Sequence, residues 1–524
     1  MLRDSVDLTP HDHPHKPARL NNLGNFLFIR FRRLGELCDL EDAISRHRDS
    51  LHLIPHDHPR RPSYLSNLGN SLVTRCECLG ELSDLERAIP MLREAADLTP
   101  HGHPDTPARL NNLGNSFKVR FECLGKLGDL EDAISGYKKA VDLTPHGHPD
   151  RPTCLHNLGA SLSVRFQRLG ELSDLEDAIS RLRNAADLTP HGHPCKPDRL
   201  HVLGTSLITR FNRLGELGDL EDSISILKNA VDLMPHDHPY KSARLETISR
   251  SLVRRFERVG ELSDLDGAIS VRRDAIDLTP VGHPHKPGRL NNLGYSLTTR
   301  FERLGELSDL EDAISVLKDA IGLTPHGHAD KHGYLSNLGN SLITRFRCCR
   351  QLSDLEDAIS MLRDAVDLVP HGHPNKLTSL NKLGNCFKVR FDHFGELSDL
   401  ERAISTLKDA VNLIRHGDAD KPGCFNNLGN CLITRFKHLG ELSDLEDAVS
   451  RHTVTSKTVA MPNPNTAREA RCNHPWELHL ALVGTNKVQT LGYKSVPGSR
   501  DAAHSSWRYS HFKMATPLQW FCTF

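Results

Sequence analysis

The sequence lacks long apolar stretches and an excess of charge of either sign. No run of about 18 apolar residues occurs, so no membrane-spanning helix is expected. The formal net charge is -1, whereas a protein that holds nucleic acid by general electrostatics needs a basic surface. Residues 1–9 contain no apolar core of a secretory signal. We therefore expect a cytoplasmic protein without membrane or nucleic-acid partners.

Clustered glycines and regularly spaced cysteines are also missing. The glycines of the recurring Leu-Gly-Asn triplet stand singly inside helical patterns, not together after a strand as in phosphate-binding loops, so no nucleotide is expected. The 13 cysteines are odd in number and irregularly placed, which favours free thiols in a reducing compartment over a disulfide framework. No convincing catalytic His/Cys pair is present. We expect no cofactor and no enzymatic activity.

The sequence does contain a repeat of 45 residues. A Leu-Gly pair marks each unit, and only Ile248-Ser249 differs, although it stays in phase. Ten units follow one another without insertion or deletion. The leucines of the marker pair are Leu23, Leu68, Leu113, Leu158, Leu203, Leu293, Leu338, Leu383 and Leu428. A fixed period of this length is typical of a solenoid, whose units bury their apolar faces against one another.

Each unit has the pattern of two helices. In the third unit an apolar stripe at steps of three and four predicts a first helix: Leu110, Leu113, Phe117, Phe121 and Leu124. Gly125 then predicts a left-handed C-cap. A second stripe predicts the second helix: Leu130, Ala133, Ile134, Tyr137 and Val141. In the second unit, Ser83 and Glu86 have the spacing of a capping box, and Pro90 predicts a kink.

These helices resemble the tetratricopeptide repeat. Ala88, Ala95 and Pro100 have the family's second-helix spacing, and Leu110 precedes Leu113-Gly114 as in its first helix. The period exceeds the family's usual length of about 34 residues. In this it is similar to kinesin light chain repeats and to arrays of fungal proteins that often continue into a CHAT (caspase-like) domain. The resemblance implies an all-α, right-handed superhelical solenoid of ten 45-residue helix-turn-helix repeats.

The resemblance also implies a function and a domain organisation. The expected function is a scaffold or sensor array that binds a protein or an extended peptide in a concave groove. The alternative is the truncated regulatory repeat region of a CHAT-domain peptidase, although no CHAT-like segment is seen. Residues 1–10 match part of a second helix, so the chain reads as a fragment. Residues 11–452 form the array, and 453–524 have no periodicity and are expected to be an irregular or disordered tail.

Candidate ligand residues lie on the first helices, as the resemblance implies. Asn111 and Asn115 lie on the helix face that the apolar stripe leaves free, and Asn115 matches the asparagine that holds a ligand's main chain in peptide clamps. An amide both donates and accepts, which suits an extended backbone. The candidates are Asn21, Asn25, Asn70, Asn111, Asn115, Asn291, Asn340, Asn381, Asn385, Asn426 and Asn430. The alternative is a solvated helix face.

The middle of the array differs at the position of Asn115, where the sequence has Ala160, Thr205, Arg250 and Tyr295. A split in the groove or a flexible point is therefore expected there. The lysine that chaperone-tail clamps place four residues before this asparagine is absent, so a terminal carboxylate is not expected as the ligand.

An arginine and an aspartate nine residues apart recur in all ten units, as in Arg120 with Asp129 and Arg165 with Asp174. One interpretation is a bidentate ion pair that holds the turn between the two helices. The other is a basic track for an acidic ligand. We expect the ion pair.

Histidine pairs recur in the loops between units, as in His101 and His103. A metal site is one interpretation, but zinc needs three or four ligands and one loop offers two. The structural interpretation explains more positions. Thr99 to Gly102 suit a type I turn, and either His103 or Asp105 caps the next helix. We expect no metal.

Overall fold

The computed structural model describes residues 2–100, 102–370, 373–414 and 421–448, and these residues form helices and no strand. The expected tail, 453–524, lies outside this part. Helices α1–α20 are Leu2–Asp7, Lys16–Leu34, Leu37–His52, Arg61–Leu79, Leu82–Asp97, Thr106–Leu124, Leu127–Leu143, Arg151–Leu169, Leu172–Asp187, Lys196–Leu214, Leu217–Asp232, Lys241–Val259, Leu262–Asp277, Lys286–Leu304, Leu307–Gly322, Lys331–Cys349, Leu352–Leu368, Pro374–Phe394, Leu397–Asn412 and Lys421–Leu439. Residues 442–448 are helical. The predicted all-α fold is confirmed.

The helices form consecutive hairpins. Repeat 1 consists of α2 and α3, repeat 2 of α4 and α5, and so on to repeat 10, which begins with α20. We call the two members of a hairpin its first and second helix. Each first helix packs against its own second helix and against the second helix of the preceding repeat. First helices of adjacent repeats also contact one another, as α4 contacts α6. The first helices therefore form a layer of their own.

The core follows the predicted stripes. All five stripe residues of α7 are buried: Leu130, Ala133, Ile134, Tyr137 and Val141. In α6, Phe117 and Phe121 are buried, but Leu124 is exposed because it lies at the last position of the helix, beside the turn. Burying leucine, isoleucine and phenylalanine side chains between hairpins stabilises the array by about 1.5–3 kcal/mol for each fully buried side chain.

A left-handed residue ends each of the ten first helices, and in nine of them it is a glycine. Gly125 has φ of 68°, and its backbone N–H donates to the carbonyl oxygen of Phe121 at 2.7 Å, so the predicted C-cap is confirmed. Repeat 8 is different because Arg350 occupies this position with φ of 58°. A side chain with a Cβ is disfavoured in this region, which makes Arg350 a strained position.

The predicted capping box is wrong. Helix α5 begins at Leu82, its N-cap is Glu81 in an extended conformation, and no side chain caps the helix. Asp84, one residue after Ser83, instead receives two hydrogen bonds from Arg75 at 2.7 and 2.6 Å. This charged contact fixes the start of the helix. Helix α5 also continues through Pro90 to Asp97.

The helices described above include none with the length and hydropathy of a membrane span. The described cysteines, which exclude Cys472 and Cys522, are free thiols.

Candidate functional site

The loops between repeats form turns that differ slightly from the prediction. The backbone N–H of His103 donates to the carbonyl oxygen of Pro100 at 3.1 Å, so the turn runs from Pro100 to His103, one residue later than expected. Gly102 is the third residue of this turn and has φ of 79°. A positive φ at the third position does not occur in a type I turn. The predicted turn type is therefore wrong for this loop.

The second histidine accepts a backbone hydrogen bond in nine loops, but it is the N-cap of the following helix only in α18, where the cap is His373. Of the two caps predicted for α6, Asp105 is the N-cap residue, and its side chain makes no capping hydrogen bond. His103 Nδ1 accepts a hydrogen bond from the backbone N–H of Asp105 at 3.1 Å. The same contact is made by His13, His58, His148, His193, His238, His283, His328 and His373. This nitrogen is thus occupied by the backbone. Among the described residues, no three His, Cys, Asp or Glu side chains are arranged to hold a metal ion. His101 lies outside those residues.

The recurring arginine and aspartate lie at hydrogen-bonding distance. Arg165 donates from Nε and Nη2 to the two oxygens of Asp174 at 2.7 and 2.6 Å. Arg120 donates from Nε and Nη2 to the same oxygen, Oδ1 of Asp129. The other oxygen, Oδ2, is buried without a partner. Hydrogen bonding to Asp174 raises the pKa of Arg165. The other pairs join Arg30, Arg75, Arg210, Arg255, Arg300, Arg345, Arg390 and Arg435 to the aspartate nine residues later. The guanidinium groups are therefore engaged within their own hairpins.

Asparagines also link adjacent first helices. Asn157 Nδ2 donates to Asn111 Oδ1 at 3.0 Å, across a sequence separation of 46. The same bond joins Asn67 to Asn21, Asn337 to Asn291, and Asn427 to Asn381. We call these bonds the asparagine ladder. Asn21 and Asn111 are buried, so these candidates contribute to packing between repeats. The donors of the ladder are absent from the sequence-based candidates, because the separation of 46 becomes visible only when helices are paired.

The candidate asparagines one helical turn after the acceptor position of the ladder fall into two groups. Asn25 Oδ1 lies 3.1 Å from His47 Nε2, and Asn115 Oδ1 accepts from the Tyr137 hydroxyl at 2.7 Å. Within the part of the chain described, no side-chain hydrogen bond is made by Asn70, Asn340, Asn385 or Asn430. Beside Asn70, Asn340 and Asn385, the second-helix residue that packs against the first helix is a leucine. These leucines are Leu92, Leu362 and Leu407, respectively. A leucine cannot hydrogen-bond, so these amides remain open to a ligand. Asn426 is exposed.

The marker pair needs a glycine because a side chain of the second helix packs directly against it. A Cβ on Gly69 would lie 2.7 Å from Leu92, and one on Gly24 would lie 2.4 Å from His47. Since contacts this short do not occur, the second helix sits where only glycine fits. Repeat 6 has Ser249 at this position and Arg272 opposite it, and the two are hydrogen-bonded at 3.3 Å.

The bonds of the asparagine ladder join repeats 1 and 2, 3 and 4, 7 and 8, and 9 and 10, so none is found between repeats 4 and 7 in the described residues. His156 and His201 occupy the position of Asn111, and the following repeats have Val202 and Thr247 where a donor asparagine would stand. Nδ1 of both histidines is buried without a hydrogen-bond partner in the described residues. Burial lowers the pKa of each imidazole to about 4. The split predicted from Ala160, Thr205, Arg250 and Tyr295 concerns the position of Asn115 and stays a prediction.

Comparisons with known proteins agree with the fold only. No protein-family model and no curated protein matches the sequence. A kinesin light chain of Podospora anserina with nearly identical TPR-like repeats is 15% identical, covers 40% of this chain and 95% of its own, and has a TM-score of 0.31. The C-terminal part of a TPR protein from Cytophaga hutchinsonii is 12% identical over 60% of this chain and 99% of its own, with a TM-score of 0.39.

The human IFIT1 dimer with m7Gppp-AAAA is 13% identical, covers 87% of this chain and 89% of its own, and has a TM-score of 0.38. At these sequence identities and TM-scores, the likeness assigns no ligand to this chain. It also gives no support to the expected exclusion of nucleic acid and nucleotides. The described residues form a helical repeat array of consecutive hairpins, which is the fold that the sequence predicted.

Proposed function

We propose that the array is a scaffold that binds an extended protein segment along the exposed face of its first helices. The observation that carries the proposal is the set of open amides, Asn70, Asn340 and Asn385, at one position of three first helices. Each amide offers a donor and an acceptor, as an extended peptide backbone requires. The first helices contact one another, so these amides lie on one layer.

A protein ligand agrees better with the charges than a nucleic acid does. The arginine that recurs in every repeat is bound to its own aspartate, and the net charge is -1. The recurring arginine is therefore not available to a phosphate backbone. The right-handed superhelix, the cytoplasmic location and the lack of catalysis remain predictions. No comparison supports the CHAT-domain alternative, and we do not propose it.

The test uses an array of synthetic 12-residue peptides, with dissociation constants measured by fluorescence polarisation for those that bind. The triple variant N70A/N340A/N385A should weaken binding about tenfold or more, since each lost hydrogen bond contributes about 1 kcal/mol. The matched control is N184A/N229A/N412A, which removes three exposed amides from second helices. Equal dissociation constants for the triple variant and the wild type would exclude this face.

A further inference from the structure

Repeat 6 carries a buried arginine where most repeats have a leucine. The residue that packs on the marker glycine is Leu92, Leu182, Leu227, Leu317, Leu362 or Leu407 in six repeats. In repeat 6 it is Arg272, of which 4% is exposed. A guanidinium in this position is costly to bury unless it is paired with an anion. Its contacts therefore show whether the chain itself supplies that anion.

The chain supplies only neutral acceptors. Arg272 donates from Nε to Ser249 Oγ at 3.3 Å, and from Nη1 to the carbonyl oxygen of Asn292 at 2.6 Å and to Ser296 Oγ. Nη2 has no hydrogen-bond partner among the described residues, and it is not among the fully buried atoms. No carboxylate of that part of the chain lies within ion-pair distance of Arg272. One N–H edge of a buried cation thus remains open.

Three titratable side chains lie near the guanidinium of Arg272. Burial lowers the pKa of Arg272, Glu246 and Tyr295 oppose this effect, and Arg250 adds to it. Arg250 is exposed, and 46% of Tyr295 is exposed. Arg254, one turn after Arg250, donates to Asn212 Oδ1 at 2.8 Å. Neither Arg250 nor Arg254 makes an ion pair with the described residues.

Carboxylates of the chain are also near, and they limit the ligand. Glu246 Oε1 accepts from Asn292 at 2.7 Å, and its Oε2 is buried without a partner. Burial raises the pKa of Tyr295, and the nearby carboxylates of Glu257 and Glu302 raise it further. These three charges disfavour a doubly charged phosphate. A singly charged planar carboxylate matches the remaining edge of a guanidinium in both charge and shape.

We propose that Arg272, Arg250 and Tyr295 form a pocket for an aspartate or glutamate side chain of the bound peptide. Arg250 and Tyr295 lie on first helices, like the open amides, at the position that Asn115 occupies in repeat 3, and Arg272 lies on the second helix α13. The inference rests on the proposed function, because the carboxylate arrives on an extended segment. The pocket lies in the stretch between repeats 4 and 7, where the described residues form no bond of the asparagine ladder.

A double variant removes the pocket without leaving a cavity or a clash. Replacing Ser249 by Gly and Arg272 by Leu restores the glycine–leucine pair that repeats 2, 4, 5, 7, 8 and 9 already have. The matched control is Arg273→Gln, which removes one positive charge from the next residue of α13. Arg273 is on the other side of that helix, 52% exposed and paired with Asp312 at 3.1 Å.

The test measures fluorescence polarisation with fluorescein-labelled 12-residue peptides that have Glu, Gln or phosphoserine at one central position. Wild type and R273Q should bind Glu peptides at least tenfold more tightly than Gln peptides, and S249G/R272L should bind both within twofold. A Glu-to-Gln ratio near one in the wild type, or one that persists in the double variant, overturns the pocket. Tighter binding of phosphoserine than of Glu overturns the choice of a carboxylate. If no peptide binds at all, the proposed function fails as well; if Glu and Gln peptides bind equally, only the pocket fails.

Discussion

Asn157 donates one hydrogen bond to Asn111 at 3.0 Å and a second, longer one to Asn115 at 3.3 Å. All three side chains lie on first helices, and the bonds cross the boundary between repeats 3 and 4. The net contribution of such a bond to stability is modest, but its loss leaves a buried amide oxygen without a donor. We therefore regard the asparagine ladder as part of what holds consecutive first helices in register.

Replacing Asn157 by Ala should lower the free energy of unfolding by about 1–2 kcal/mol, because Asn111 is buried and loses its donor. Denaturation in urea, followed by circular dichroism, measures the effect. The control is Asn112→Ala: Asn112 has the same position in repeat 3, but it makes no side-chain hydrogen bond within the described part. Equal losses for both variants would contradict a role for the ladder.

Replacing Arg165 by Ala should lower the free energy of unfolding by about 2 kcal/mol, since Asp174 is then buried without the charged donor that satisfied it. The exposed pair of Arg183 with Asp222, at 3.4 Å, provides the control. R183A should change stability by no more than about 0.5 kcal/mol. If R165A is as mild as R183A, the recurring arginine is free for another role, such as a basic track.

Replacing Arg350 by Gly should stabilise the chain by about 1 kcal/mol, because glycine adopts the left-handed conformation at φ of 58° without a Cβ penalty. The melting temperatures of the wild type and of the R350G variant test this. The reverse change at the equivalent C-cap, Gly305→Arg, should cost a similar amount, since Gly305 has φ of 74°. A loss of stability in R350G would show that the arginine side chain has a stabilising contact that outweighs the strain.

Acidification should weaken the middle of the array. Burial lowers the pKa of His156 to about 4 in the folded chain, whereas the unfolded chain takes up the proton near its ordinary pKa of 6.5. Between these values the unfolded state binds more protons, so stability is full above pH 6.5 and falls as the pH drops towards 4. The loss is about 2 kcal/mol per buried histidine by order of magnitude. The unfolding free energy measured between pH 7 and pH 4.5 gives the slope.

The double variant H156N/V202N is the matched control for this pH dependence, because it introduces the acceptor and donor of the asparagine ladder. It should be more stable than the wild type at pH 5 and should show a shallower slope, with His47 and His201 left to titrate. An unchanged slope would mean that His156 in the folded chain takes up its proton at the ordinary histidine pKa of 6.5.

The sequence was sufficient for those features that depend on spacing within one hairpin. The stripes of α6 and α7, the C-cap at Gly125 and the nine-residue separation of Arg165 from Asp174 all follow from helical periodicity. The start of α5 was missed because Ser83 fits a capping pattern, while the contact that decides the geometry comes from Arg75 on another helix.

Features that depend on contacts between repeats could not be predicted in the same way. Asn67 and Asn21 are 46 residues apart, and nothing in either helix alone indicates that they meet. For the same reason Asn111 resembled an open ligand residue, whereas Asn340 is open because Leu362 lies below it. Arg272 gave no signal as a site, since its importance arises from Ser249 and Ser296 on neighbouring first helices.

The most direct test of peptide binding along the first helices is site-specific photocrosslinking. A photoreactive benzoyl-phenylalanine replaces Asn70, Asn385 or, as a control on a second helix, Asn184, and each variant is irradiated with a labelled peptide that the wild type binds. The account predicts crosslinks from positions 70 and 385 and none from position 184. Crosslinks from position 184 alone would contradict it.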